Sequence, residues 1–408
     1  MMKYKTLLII GFVLPEPKSS AAGSRMMQLI ELFQTNGYEI TFASTAQNIE
    51  YSEDLSLLEI KTKTIELNSS TFDAFISELN LNIVLFDRFM VEEQFGWRVS
   101  ECCPKALKIL DTEDLHCLRQ ARQQALKENR EFTSDDLYSE IAKREIASIL
   151  RCDISLMVSQ YEIELLQNQF RISEDILYYL PIFAERLSVT HSYEERNDFV
   201  FIGNFLHEPN WDCVKYLSES IWPLLRLKLS DAKMLIYGAY PSQKVLQLHK
   251  PKENFHIMGR ATNAIEVVKT ARMVLAPLRF GAGIKGKLLE AMQCGTPSIT
   301  SSIGAEAMKG NLVWNGFIKD DPQEFVASVV ELHNNKSLWQ QYQNHGFEIL
   351  EKRYKKSLFE NEFIAKICHL TENLISHRNN NFMGAILQHH SVLSSKYMSK
   401  WIEEKNKK

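Results

Sequence analysis

Residues 274–300, VLAPLRFGAGIKGKLLEAMQCGTPSIT, constrain the fold of this chain more than any other stretch. Val274, Leu275 and Ala276 end an apolar run, Pro277 stops it, and Gly281 and Gly283 open a turn. From Ile284 the apolar positions 284, 288, 289 and 292 have the spacing of one helix face. Gly295 and Pro297 close that helix, and Ile299 begins another strand. The unit is strand, glycine turn, short helix, strand.

Such a turn leaves the first amides of the helix unpaired, and their partial positive charge attracts phosphate. Gly281 and Gly283, with Ala282 and Ile284 in the same turn, let a ligand approach the backbone closely. Lys285 and Lys287 stand in the first helical turn, where a cation is unfavourable unless an anion is near, and Arg279 adds a third positive charge. Glu290, about one and a half turns in, is placed to accept hydrogen bonds from a ribose. The plainer reading is an ordinary strand–turn–helix with surface lysines, because glycine turns alone are weak evidence.

With 408 residues the chain exceeds a single core and suits two domains with an appendage. Leu7–Phe12 is continuously apolar, as a buried parallel strand requires. A helix is predicted from about Ser24 to Asn36, with Met26, Leu29, Ile30 and Phe33 on one face, and Tyr38–Ala43 returns as a strand. The loop of this βαβ unit, EPKSSAAGSR, lacks GxGxxG, so no dinucleotide cofactor is expected. Further strands are predicted at 60–67, 83–87, 107–110, 154–159 and 177–180. Asp87, Asp111, Asp114 and His116 follow strand ends, where α/β sheets seat ligands. His116 reads equally as a structural histidine, and Arg25 as a surface charge at a helix start. Arg119, Arg122 and Lys127 form a basic helix face, either solvated or turned to an anionic acceptor or lipid.

The polar stretch 188–198 is a candidate linker, and a second set of strands begins at Phe199–Gly203. A helix over 212–228 is expected to be broken or kinked at Pro223. The domains expected are 1–190, 191–376 and a tail, 377–408, of short helices with a solvated lysine-rich end. A net charge of −4 gives no reason to expect nucleic acid. Seven cysteines without CxxC or histidine-linked spacing read as reduced cytosolic thiols. No stretch is long and apolar enough to span a bilayer.

The string at 274–304 resembles the donor-site signature of the retaining GT-B glycosyltransferases of family 4, in which a glycine turn, a helix carrying EAM and a small-Gly-Thr-Pro stop recur in this order. That resemblance implies an α/β GT-B fold: two Rossmann-like domains facing across a cleft, with a C-terminal helical tail crossing back to the first. It implies an enzyme that moves a sugar from a nucleotide-diphosphate donor to a hydroxyl acceptor on a glycan, lipid-linked glycan or glycoconjugate, with retention. Glu290 is then the second glutamate of the family's E-x7-E motif and holds the ribose, while Ala282 stands where the first would be. Lys285 and Lys287 face the diphosphate in a GAG-x-K-x-K version of the loop.

FIGNFLHEPNW resembles the opening of the family's nucleotide-binding domain, which assigns Gly203 and Asn204 to the donor. Many relatives carry an Arg and a Lys there; Asn204, His207 and Asn210 stand here instead. Gly259 and Arg260 resemble the turn that reads the nucleotide base. Gly23, Ser24 and Arg25 match the loop that approaches the acceptor or the donor phosphates, with Asp87 and Asp114 on the cleft edge. His116 takes the place of the histidine that hydrogen-bonds the transferred sugar, and VSQYE that of a recurring strand-Ser-x-x-Glu turn. No apolar-flanked DxD pair occurs, so neither a metal nor any other cofactor is expected; the nucleotide-sugar is a substrate. The expected location is cytoplasmic, with peripheral contact at the inner face of the membrane. An epimerase or inverting transferase using Asp114 or His116 as base, and a catalytically silent nucleotide-sugar binder without the acid at 282, are the alternatives.

Overall fold

The computed structural model describes residues 5–46 and 51–406. Among the described residues thirteen strands form two sheets. The first comprises β1 (Lys5–Gly11), β2 (Tyr38–Ser44), β3 (Lys61–Thr64), β4 (Ile83–Asp87), β5 (Leu107–Asp111), β6 (Ile154–Met157) and β7 (Leu177–Tyr179), in the order β3-β2-β1-β4-β5-β6-β7. The second comprises β8 (Asn197–Ile202), β9 (Met234–Tyr237), β10 (Phe255–Gly259), β11 (Ala271–Ala276), β12 (Ser298–Thr300) and β13 (Gly316–Ile318), in the order β10-β9-β8-β11-β12-β13. Pairing within both sheets is parallel.

Continuous apolar strands require cover on both faces, and β1 shows how it is supplied. Leu8 and Ile10 enter one buried cluster while Leu7 and Ile9 enter another on the opposite side of the sheet. A third cluster, built around Phe199, Phe201, Trp222 and Leu288, is the core of the second domain. Strand order reverses between β1 and β4 in the first sheet and between β8 and β11 in the second. Crevices at the carboxyl ends of strands beside such reversals are where α/β sheets take ligands.

Three local expectations change. The helix expected to be broken or kinked at Pro223 instead runs Glu208–Tyr216, widens to a π turn at Leu217–Ile221 and resumes at Trp222–Arg226. The wider turn lies just before Pro223, which has no N–H to give. The return to the first domain begins earlier than residue 377: Phe363, Ile367 and Leu370 of helix Glu360–Glu372 share a cluster with Leu7, Ile9 and Leu29. The tail is not several short helices but one, Phe382–Asn406, lying against helices Phe89–Cys102 and Glu140–Arg151 of the first domain. Arg378 secures its approach with two hydrogen bonds to the Asp153 carboxylate, at 2.7 and 2.8 Å.

Candidate active site between the two sheets

The glycine turn lies at the carboxyl end of β11, at the reversal of the second sheet, and feeds helix Gly286–Gln293. Gly295, with φ +62°, ends that helix; its N–H reaches Met292 O at 3.1 Å and the Thr296 N–H reaches Ala291 O at 2.8 Å. At the helix start no described group accepts from the N–H of Gly286 or Lys287. The other side of the reversal is the loop after β8, carrying Gly203 and Asn204. Asn210 joins the two loops: its Nδ2 donates to Asn204 O and its Oδ1 accepts from Lys287 Nζ, both at 2.7 Å.

Lys285 is buried and donates to the Gly283 carbonyl at 2.7 Å. Burial lowers its pKa to about 8 against the opposing charge of Glu306. Burial also lowers Lys287, whose ammonium lies 4.9 Å from the Phe201 ring centre. Two desolvated cations beside a helix N-terminus give this spot a strong demand for an anion. Glu290, in the second turn, is raised by burial to about 7 against the pull of Lys287, and no described donor hydrogen-bonds its carboxylate. Arg279 is committed to Asp212, with Nε 3.0 Å from Oδ2. Gly259 has φ +74° and open space beyond it, and the Arg260 guanidinium stacks 4.0 Å from the Tyr51 ring centre of the first domain.

The first domain meets this loop directly. A methyl group on Gly286 would lie 2.6 Å from Ala21 Cβ, at the start of helix Ala21–Thr35. Gly283, at φ +63°, presses against Asp114, and its N–H donates to Glu162 Oε1 at 2.8 Å. The same oxygen accepts from Leu115 N at 3.1 Å, so Glu162 ties both domains together. An amide offered to phosphate by the sequence reading is therefore engaged by protein. Burial raises the Glu162 carboxyl to about 8. Arg122 donates to the Gly281 carbonyl at 2.9 Å and to both oxygens of Glu306. Ala282 packs into the first domain's apolar cluster, and Ile284 into that of the second.

His116 begins helix His116–Lys127, whose N-terminal amides are capped from afar by Glu145, which accepts from His116 N at 2.9 Å and Cys117 N at 2.8 Å. Its ring lies edge-on to Phe89, with Nε2 3.6 Å from Asp114 Oδ1. Burial lowers the imidazole to about 4 despite Asp114, so the ring is neutral near pH 7. Burial alone would raise Asp114, but Arg119 and His116 hold it well below the usual carboxylate range. Across the gap, burial lowers His207 to about 4, with Arg119 pushing the same way and Asp114 against it.

Other expected cleft residues are placed differently. Arg25 is neither a surface charge nor a cleft group: it is completely buried, donating to Pro181 O at 2.8 Å and pairing with Asp111 at 3.4 Å. Arg25 stands four and seven residues before Leu29 and Leu32, on the buried stripe of helix Ala21–Thr35. Ser24 is turned back on its own loop, donating to Pro17 O at 3.0 Å, and Gly23 donates its N–H to the Ser20 hydroxyl at 3.0 Å. Asp87 is buried and accepts from Phe12 N at 2.9 Å. Arg122 is part of the domain interface rather than a solvated face. Glu162 closes the strand-Ser-x-x-Glu turn legible in VSQYE, but its role in joining the domains is not, and no local pattern marks Glu306 or Glu145 as anchors, because the partners lie far along the chain. Among the described residues no group of three or more His, Cys, Asp or Glu side chains is arranged to hold a metal ion, and no helix is long and apolar enough to cross a membrane.

Residues 196–335 match the family profile described as glycosyl transferases group 1. A search of curated proteins finds no match. Among solved structures the chain is similar to a sucrose-phosphate synthase from Thermosynechococcus elongatus, at TM-score 0.65 and 12% identity over 91% of this chain and 99% of that one. It is similar to HepE from Anabaena, solved with UDP and glucose, at TM-score 0.63 and 11% identity over 90% of this chain and 100% of that one. It is also similar to the pneumococcal O-GlcNAc transferase GtfA, solved with UDP and GlcNAc, at TM-score 0.66 and 12% identity over 90% and 99%. The chain thus has the GT-B fold, with a second domain that matches the group 1 glycosyl transferases over residues 196–335.

Proposed function

We propose that this protein is a glycosyltransferase that moves a sugar from a nucleotide-diphosphate donor to a hydroxyl acceptor. The observation that carries the reading is the pair of ammonium groups of Lys285, buried, and Lys287, half-buried, at the start of helix Gly286–Gln293, with the unpaired Glu290 carboxylate one turn deeper. Negative charge develops on the leaving diphosphate as the glycosidic bond breaks, and fixed cations with free amides stabilise it there. Glu290 accepts from the ribose, and Gly203, Asn204, Gly259 and Arg260 complete the donor side. His116, neutral and oriented by Asp114, hydrogen-bonds the transferred sugar from the first domain. The group 1 match and the UDP and sugar complexes of HepE and GtfA support this assignment.

In this reading the cations of the loop remove the need for a metal, and turnover persists in a chelator. Retention rests on the family resemblance, with the leaving phosphate serving as base, and the stereochemistry of the product tests it. The acceptor class proposed is a glycan, a lipid-linked glycan or a glycoconjugate. Titrating UDP, GDP and ADP against thermal unfolding tests the donor site, since a ligand bound only by the folded state raises the midpoint. A second reading, a silent nucleotide-sugar binder, draws on Ala282: that position is apolar and packed against the first domain, so it offers the donor no acid. Donor hydrolysis by the purified protein, abolished by Lys285→Ala, excludes it.

A further inference from the structure

The tail helix Phe382–Asn406 is built inside out. A helix lying on a domain ordinarily buries its apolar stripe and turns polar groups to water. Here the side facing the first domain carries polar anchors. Gln388 donates to Ser100 at 2.7 Å, Ser399 accepts from Arg98 at 3.0 Å, Glu403 accepts from the Ser70 hydroxyl at 2.5 Å, and Lys396 pairs with Glu101. The outward side carries Phe382, Met383, Ile386, Tyr397, Met398 and Trp401, with Phe382 71%, Tyr397 66% and Trp401 58% exposed. Residues 382, 386, 397 and 401 are 4, 11 and 4 apart, which at about 3.6 residues per turn keeps them on one side.

Charge says what this side meets. The chain as a whole is acidic, with net charge −4, yet residues 377–408 hold six lysines and arginines against two glutamates. Arg378 and Lys396 are committed to Asp153 and Glu101, while Lys400 and Lys405 are exposed beside the aromatic groups, with Lys405 Nζ 5.2 Å from the Trp401 ring centre. A tryptophan and a tyrosine with lysines at their margin suit the boundary between headgroups and acyl chains. A second copy of this chain would instead bring like-charged lysines together across a two-fold axis.

We infer that the outward face of helix Phe382–Asn406 seats this protein on an anionic lipid surface, the helix lying in the plane of the headgroups. The anchored side holds helices Phe89–Cys102 and Glu140–Arg151, and Glu145 of the latter caps the helix that begins at His116. Docking therefore acts directly on the first domain. The inference is independent of the donor chemistry.

The test uses the full chain and vesicles of phosphatidylglycerol or of phosphatidylcholine, with bound protein measured by sedimentation. The protein is expected to sediment with phosphatidylglycerol and not with phosphatidylcholine. The double variant Lys400→Ala/Lys405→Ala is expected to weaken binding about 30-fold. Tyr397→Ser/Trp401→Ser is expected to weaken it at least about tenfold, with unchanged circular dichroism because both side chains face outward. Failure to bind phosphatidylglycerol, or binding indifferent to both variants, overturns the inference. So does a dimer in solution that Trp401→Ser dissolves, which would assign the face to a second copy.

Discussion

Arg122 of the first domain and Glu306 of the second meet as a two-point ion pair, Nη1 to Oε2 at 2.9 Å and Nη2 to Oε1 at 2.6 Å. The same guanidinium donates to the carbonyl of Gly281, so the glycine turn is held by the domain it faces. Arg122 is buried, and removing either partner leaves the other desolvated and unpaired. Arg122→Ala and Glu306→Ala are each expected to lower stability, with a coupling on the order of 1–3 kcal/mol in the double variant. A denaturation cycle over the four proteins measures it.

Gly283 presses the turn against the first domain. Its φ is +63°, and a methyl group there would lie 2.8 Å from Asp114 Cβ. Gly283→Ala is therefore expected to cost about 1–3 kcal/mol and to lower turnover. Thermal unfolding and steady-state kinetics check both, and an unchanged protein would mean that this contact is absent in solution.

The imidazole of His116 is neutral above about pH 4 because burial outweighs the Asp114 charge. A neutral ring can hydrogen-bond a sugar hydroxyl throughout the working range. His116→Ala is expected to lower kcat about tenfold, the worth of one hydrogen bond, with nucleotide diphosphate affinity unchanged. Equal loss of nucleotide affinity would move His116 away from the sugar.

Lys285 carries the pH dependence of donor binding. Its folded-state pKa lies near 8, depressed by burial, and an arriving diphosphate stabilises the protonated form. The contribution of Lys285 to affinity is therefore expected to be full below about pH 8 and to fall above it, by up to about tenfold per pH unit until Lys285 titrates in the complex, while Glu290, raised to about 7, loses its charge on the acid side. Without ligand the sign is opposite. Between pH 8 and the unfolded lysine value the unfolded chain holds the extra proton, so this group makes stability rise with pH. Calorimetric titration across this range separates the two effects.

What the sequence made legible was local. The turn at 281–283, the helix after it and its stop at Gly295 follow from glycine placement and apolar spacing, and the buried strands from their unbroken apolar runs. The contacts that close one domain on the other were not legible, because their partners are far apart in the chain: Glu162 and Gly283 are 121 residues apart, and Arg122 and Glu306 are 184. Arg25 is misplaced for the same reason: its spacing from Leu29 and Leu32 sets it on the buried stripe, and the Asp111 that pairs with it there is 86 residues away. The lysine-rich end of the tail reads as solvated, but which side of its helix faces out is set by the contacts of Gln388, Ser399 and Glu403 with Ser100, Arg98 and Ser70, each far away in the chain.

The most direct measurement is the dissociation constant of UDP, GDP and ADP for the wild-type chain and for Lys285→Ala. The account predicts that at least one diphosphate binds and raises the thermal midpoint, and that the variant loses about tenfold or more of that affinity, the weight of one buried charge-assisted contact. If no diphosphate binds, or if Lys285→Ala binds as tightly as the wild type, the anion site at the start of helix Gly286–Gln293 is contradicted.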